Sequence, residues 1–137
     1  MKKYLLGLDE LHILAKYIVD NFKNGVVILR GDLAAGKTTL VREVVKYLEI
    51  DEDVTSPTFS LQHSYAGKIF HYDIYNHGLE HFISLGMLEE LEREGLHFVE
   101  WGDDVLDGIL TEAGIDSLTI NIKKISSNKR EYSICTH

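Results

Sequence analysis

Apolar positions along this chain recur in two rhythms. Leu11, Leu14, Ala15, Ile18 and Phe22 fall at helical spacing. They predict an amphipathic helix over 9–23, with Asp9 as its N-cap and Asn24-Gly25 as its stop. Leu40, Val41, Val44, Val45 and Leu48 repeat the pattern and predict a second helix from 37 to about 49. Between them, Val26-Val27-Ile28-Leu29 is an unbroken apolar run, short and mostly β-branched, as a strand buried on both faces requires. Residues 58–65 and 68–75 read as extended and are joined by Ala66-Gly67, which predicts a hairpin. Residues 79–94 read as helical, interrupted near Gly86 and ended by Gly95. Leu96-His97-Phe98-Val99 is a further buried strand that finishes at Glu100. A helix over 103–110 and two strands, 117–125 and 131–136, complete the chain around a turn at 126–130. This order predicts a single α/β domain over 1–137, with a mixed, partly antiparallel central sheet flanked by helices. The parallel part lies early in the chain; the hairpin and the last two strands add antiparallel pairs.

The junction between the first buried strand and the second helix carries the strongest chemical signal. Gly31, Gly36, Lys37 and Thr38 fit G-x-x-x-x-G-K-[ST], the phosphate-binding P-loop, with Asp32, Leu33, Ala34 and Ala35 between the glycines. Glycine lets backbone N–H groups approach phosphate oxygens, and the following helix aims its positive end at the anion. Lys37 would supply a point charge to the β and γ phosphates, and the Thr38 hydroxyl would bind Mg²⁺. Strand, glycine loop and helix follow in the order the motif needs.

Turnover of a bound nucleotide needs acids as well, to anchor the metal and to direct an attacking water. Two are placed for it. Asp73 lies in HYDIY, and Glu100 follows the strand HFV directly. Ligands of open α/β sheets sit at the carboxyl ends of strands, which puts Glu100 near the phosphates on topology alone. Without the P-loop, Asp73 would read as an edge-strand carboxylate facing water and Glu100 as a loop acid. Glu89, Glu90, Glu92 and Glu94 read as solvated helix surface. The run TSPTF at 55–59 reads from its residues as a turn with hydroxyl caps, with a loop that senses the γ phosphate as the second possibility. His77 and His81 stand four apart, but no third ligand is spaced for a metal. The aromatic stretch 65–75 reads as packing.

Composition narrows the picture further. Twenty-two acidic against fourteen basic residues leave −8, which argues against a direct grip on nucleic acid. The lone Cys135 fits a reducing compartment. Asp9 and Glu10 cut the first apolar run too short for a signal peptide, and no stretch reaches membrane-span length, so the expected location is the cytoplasm.

GDLAAGKTT at 31–39, SPTF at 56–59, HYDIY at 71–75, LGMLEE at 85–90 and VEWG at 99–102 together resemble the bacterial TsaE (YjeE) ATPases of tRNA threonylcarbamoyladenosine synthesis, over nearly the whole chain. That resemblance implies a weak Mg-dependent ATPase working with the two proteins that carry out threonylcarbamoyl transfer, with tRNA touched only indirectly. It implies a nucleotide site of residues 31–39, with Thr39 supporting the loop and Thr58 near the γ phosphate. It further implies Thr38, Asp73 and Glu100 around Mg²⁺, Glu100 acting on the water, and Trp101 beside it. Ala34, Asn76 and Gly102 depart from the family pattern, where glycine, arginine and proline are usual. The rival readings are a small P-loop kinase and a nucleotide-gated binding module. Four arginines and no lid-sized insertion count against the kinase.

Overall fold

Val26, Val27, Ile28 and Leu29 are fully buried because their strand is central and covered on both faces. The structure is a computed structural model that describes residues 2–31, 36–54, 62–74, 78–101 and 104–136. Its elements are β1 (Lys2–Leu6), a 3₁₀ turn (Leu8–Glu10), α1 (His12–Asn21), β2 (Gly25–Arg30) and α2 (Lys37–Tyr47), then β3 (Gln62–Tyr65), β4 (Ile69–Asp73), α3 (Gly78–Ser84), α4 (Met87–Glu90) and β5 (Leu96–Glu100), and finally α5 (Asp104–Glu112), β6 (Ser117–Lys124) and β7 (Arg130–Thr136). The strands form one sheet in the order β1-β7-β6-β2-β5-β4-β3. The inner four, β6, β2, β5 and β4, are parallel. Antiparallel strands close both sides, β3 on β4 and the pair β7–β1 on β6. The expected mixed α/β architecture is therefore what forms. No helix among the described residues is long and apolar enough to cross a membrane.

Alternation along the strands feeds two cores. Val27, Leu29, Ile69 and Phe98 pack against Leu14 and Ile18 of α1 and Leu40, Val41 and Val44 of α2. Val26, Ile28, Phe70, Tyr72 and Val99 face the other way, onto Phe82 of α3 and Leu106 and Leu110 of α5. The buried positions in α2 follow the spacing that the sequence shows. At the β3–β4 hairpin, Ala66 and Gly67 both have positive φ (54° and 63°), and Lys68 N–H donates to Tyr65 C=O at 3.0 Å. Two left-handed residues match the right-handed twist of the flanking strands, which is why a hairpin turns here.

Several expectations need correction. The first helix begins at His12, not at Asp9, which sits inside the 3₁₀ turn. The cause is tertiary: the Glu10 carboxylate accepts from Gly7 N–H (3.0 Å) and from Lys129 (2.6 Å), which ties that turn to the β6–β7 loop. Lys129, by this bond, holds the Glu10 carboxyl below its usual range. β1 was not expected, because a mostly exposed KKYLL becomes a strand only when β7 offers it an edge. β6 is parallel to β2 and antiparallel only to β7. The expected helix over 79–94 is two short ones that stop at Glu90.

A hydrogen-bonded polar ring, buried at His97 and Tyr72 and open to solvent at Arg93, lies at that stop. The carbonyl of Arg93 can only accept, so His97 Nε2 donates to it (2.7 Å) and Nδ1 accepts the Tyr72 hydroxyl (2.7 Å). Tyr72 oxygen accepts from Gln62 (3.0 Å), Gln62 also donates to Glu90 (3.1 Å), and Arg93 donates to Glu90 (3.0 Å). Glu90 is thus half-buried and engaged rather than solvated, and the Gln62 bond lowers its pKa first, the Arg93 bond second. Burial pushes His97 below the ordinary histidine value and Tyr72 above the ordinary phenol value. Because the folded His97 pKa is depressed, its contribution to stability is complete above about pH 6.5 and is lost as pH falls through the lowered value. Urea midpoints measured from pH 7.5 down to 5 should therefore decline, and His97→Gln should flatten that decline. An unchanged slope in the variant would remove His97 from the pH dependence.

Candidate nucleotide site

The site grows from one register. Parallel pairing sets Leu29 of β2 opposite Glu100 of β5, and Glu100 opposite Asp73 of β4. Two carboxylates therefore end neighbouring strands, level with the end of β2 and hence with Gly31 two residues on. Asp73 is half-buried on an interior strand, one place in from the edge, rather than an edge residue facing water. Glu100 is the last residue of β5 and is buried, not a loop acid.

At the start of α2, Gly36 has φ 103°, a conformation that favours glycine. It turns the chain so that Lys37 and Thr38 open the helix. Lys37 is buried. Its Nζ donates to Gly31 C=O at 2.7 Å and stands 3.9 Å over the Trp101 ring, so a carbonyl and an aromatic face both hold the ammonium. Trp101 reaches that position by leaving β5 with φ 70°, a left-handed conformation that costs about 1–2 kcal/mol in a non-glycine residue. Its N–H stays on Leu29 C=O at 3.1 Å. The Thr38 hydroxyl donates to Glu100 Oε2 at 2.8 Å. The same Oε2 is met by Nε2 of His71, a fully buried residue of β4.

Of the residues expected at the site, Lys37, Thr38, Glu100 and Trp101 are joined by direct contacts or lie next in the chain. Asp73 stands beside Glu100, and Gly31 and Gly36 bound the loop. Thr39 follows on α2 and lines a cleft rather than the carboxylate cluster. Asp32, Leu33, Ala34, Ala35 and Thr58 lie outside the described residues, as do Asn76, His77 and Gly102. His71 was missed: it stands within HYDIY, but nothing in its own spacing announces that it faces the helix rather than the other core. Its place two residues before Asp73 on a strand, hence on the same face, was the available signal. A cleft of about 120 Å³ beside Gly36 was also invisible; Leu6, Leu8, Thr39, Arg130 and Tyr132 line it, from segments far apart in the chain. A larger groove of about 520 Å³ opens between Phe22, Leu48, Ile69 and Leu96 and contains none of these site residues.

Among the described residues no three His, Cys, Asp or Glu side chains gather as a metal cluster. The donors at hand are one hydroxyl and two carboxylates. Hard oxygen ligands in that number suit Mg²⁺, which keeps waters and phosphate oxygens for its remaining positions. A sheet of parallel strands with Lys-Thr at a glycine-led helix start, and a carboxylate on the adjoining strand, defines a P-loop nucleotide-binding protein.

Relatives make the class specific. Residues 7–132 match the family model described as threonylcarbamoyl adenosine biosynthesis protein TsaE. A Rickettsia conorii protein called tRNA threonylcarbamoyladenosine biosynthesis protein TsaE is 36% identical over 94% of this chain and 74% of its own. Its Treponema pallidum namesake is 35% identical over 82% of each chain. The crystal structure of Bacillus subtilis YdiB superposes with a TM-score of 0.71 at 26% identity, over 97% of this chain and 83% of the other. The chain belongs to the TsaE family, and the resemblance drawn from its motifs holds.

The Lys37–Trp101 stack has a direct optical consequence, since Trp101 is the only tryptophan. Lys37→Ala should shift Trp101 emission in the nucleotide-free protein and weaken nucleotide binding by roughly tenfold or more, the loss of one charge-assisted contact. Emission identical to the parent protein would mean that the ammonium does not rest on the ring in solution.

Proposed function

We propose that this chain is a Mg-dependent ATPase that serves tRNA threonylcarbamoyladenosine synthesis by acting on the threonylcarbamoyl-transferase proteins. The observation that carries the reading is the bond from the Thr38 hydroxyl to Glu100, which brings P-loop helix and acidic strand end together. Threonine donates its one proton to Oε2 and keeps its lone pairs, so the same hydroxyl can face a cation. Thr38 and Asp73 would hold Mg²⁺ with Glu100 beside it, and the ion when bound would offset phosphate charge and fix the triphosphate's orientation. Lys37 would leave the Gly31 carbonyl for the phosphate oxygens, exchanging one acceptor for a charged one. Glu100 would orient the attacking water and accept its proton. Residues 32–35 and Thr58 would complete the phosphate cradle, and the cleft lined by Leu6, Leu8 and Tyr132 would take the base. Cytoplasmic location and an indirect relation to tRNA belong to the same proposal; the net charge of −8 supports the second.

Phosphate release from Mg-ATP, measured on the chain alone and with the two transferase proteins, tests the whole reading. Slow release that the partners stimulate is the expected result. Fast release indifferent to them, or label transferred to an acceptor other than water, would replace it with a different P-loop enzyme. Glu100→Gln should bind Mg-ATP with near-parental affinity and turn over at least ~100-fold more slowly, the usual effect of losing a general base. Asp73→Asn should need more Mg²⁺ for half-maximal turnover; an unchanged Mg²⁺ requirement would remove Asp73 from the metal's surroundings.

A further inference from the structure

His71 is a completely buried polar ring, paired across the sheet with Phe98 on one side and His63 on the other. It occupies the β4 position opposite Phe98 of β5, on the face that packs on α1 and α2. Its Nε2 meets Glu100 Oε2, and its Nδ1 is buried with no partner among the described residues. Leaving a buried nitrogen unsatisfied costs about 1–3 kcal/mol, and an apolar residue of similar size would avoid that cost. As a contribution to stability the ring is a poor choice. What it supplies is one bond, and that bond goes to the carboxylate read above as the water-directing group.

The two bonds to Glu100 also divide its oxygens. Oε2 accepts the Thr38 hydroxyl proton, and because a carboxylate can only accept, His71 faces the same atom with its Nε2–H as a second donor. Oε1 takes neither bond. Two donors from different elements, α2 and β4, hold one oxygen and so fix the side-chain torsions, while the other oxygen stays available.

We propose that His71 is a positioning residue for ATP hydrolysis: its Nε2–H pins Oε2 of Glu100 so that Oε1 is presented to the attacking water. The inference rests on the hydrolysis reading and on Glu100's part in it. Residues that break a packing rule without a stability gain belong at functional sites, and His71 breaks one beside the reacting groups. Its action is through hydrogen-bond geometry and not through contact with nucleotide.

Four variants and one spectrum test it. His71→Leu removes the donor and keeps an apolar volume; His71→Gln keeps an N–H near the Nε2 position. Steady-state turnover, equilibrium binding of an ATP analogue and thermal midpoints are measured for both, alongside Glu100→Gln and the double variant His71→Leu/Glu100→Gln. His71→Leu should lower kcat by ~10-fold or more while nucleotide affinity changes less than ~2-fold, the pattern of an interaction used in the chemical step. His71→Gln should recover most of the loss, and the double variant should be no slower than Glu100→Gln, since both changes act on one unit. Nitrogen-15 spectra of the parent protein should show the proton on Nε2 of His71, and that signal should move in Glu100→Gln. Parental kcat in His71→Leu, equal losses in the leucine and glutamine variants, or lost affinity in proportion to lost turnover would overturn the role. Slow Glu100→Gln with parental His71→Leu sinks the His71 inference alone. Parental turnover in Glu100→Gln sinks the assignment of Glu100 and takes this inference with it.

Discussion

Parallel register is the constraint on which the rest depends. When β5 lies between β2 and β4 with Leu29, Glu100 and Asp73 in line, the ends of three strands become level. A shift of one residue would turn each side chain to the opposite face and exchange the two cores. Apolar alternation on both faces enforces the register: Val27, Leu29 and Phe98 fill one core while Val26, Ile28 and Val99 fill the other. The acids are therefore placed by the packing of residues that have no chemistry of their own.

The helix α2 is brought to that line by a single left-handed glycine. Gly36 redirects the chain so that Lys37 and Thr38 open the helix over the strand ends, and the buried face of α2 anchors it. Strain then collects where chemistry is read. Trp101 is left-handed directly after Glu100, Lys37 is a buried ammonium, and His71 carries a nitrogen that finds no partner among the described residues. Trp101 follows Glu100 in the chain, His71 bonds to it, and Lys37 lies against Trp101. The surrounding sheet, closed on both sides by antiparallel strands, is rigid enough to hold them.

The opposite face shows what polar residues look like when they serve structure. His97, Tyr72, Gln62, Glu90 and Arg93 close a hydrogen-bonded ring in which both nitrogens of His97 are satisfied. Arg93 also lies over Phe70, and Phe70 stacks on His97 at 4.6 Å between ring centres. The ring fastens α4 and the turn after it to the sheet, and it ends at Gln62, the first residue of β3. His71 and His97 are equally buried and stand on neighbouring strands; among the described residues only the first is left half-satisfied.

Some of this was written in the chain and some was not. Continuous apolar runs named the central strands, helical spacing named α1 and α2, and the glycine-lysine-threonine spacing named the phosphate loop, because each depends on residues a few positions apart. Glu100 was legible because it ends an apolar strand, and parallel sheets put ligands at such ends. Asp73 was legible only through its motif. Contacts between distant segments were not legible. β1 is a strand because β7 pairs with it; Glu10 forms a 3₁₀ turn because Lys129 reaches it from the other end of the chain; Glu90 is held because Gln62 lies nearby. Periodicity carries which residues turn inward along one element. It carries nothing about which element they meet, and so the partners of His71 and Glu100 were decided by tertiary structure alone.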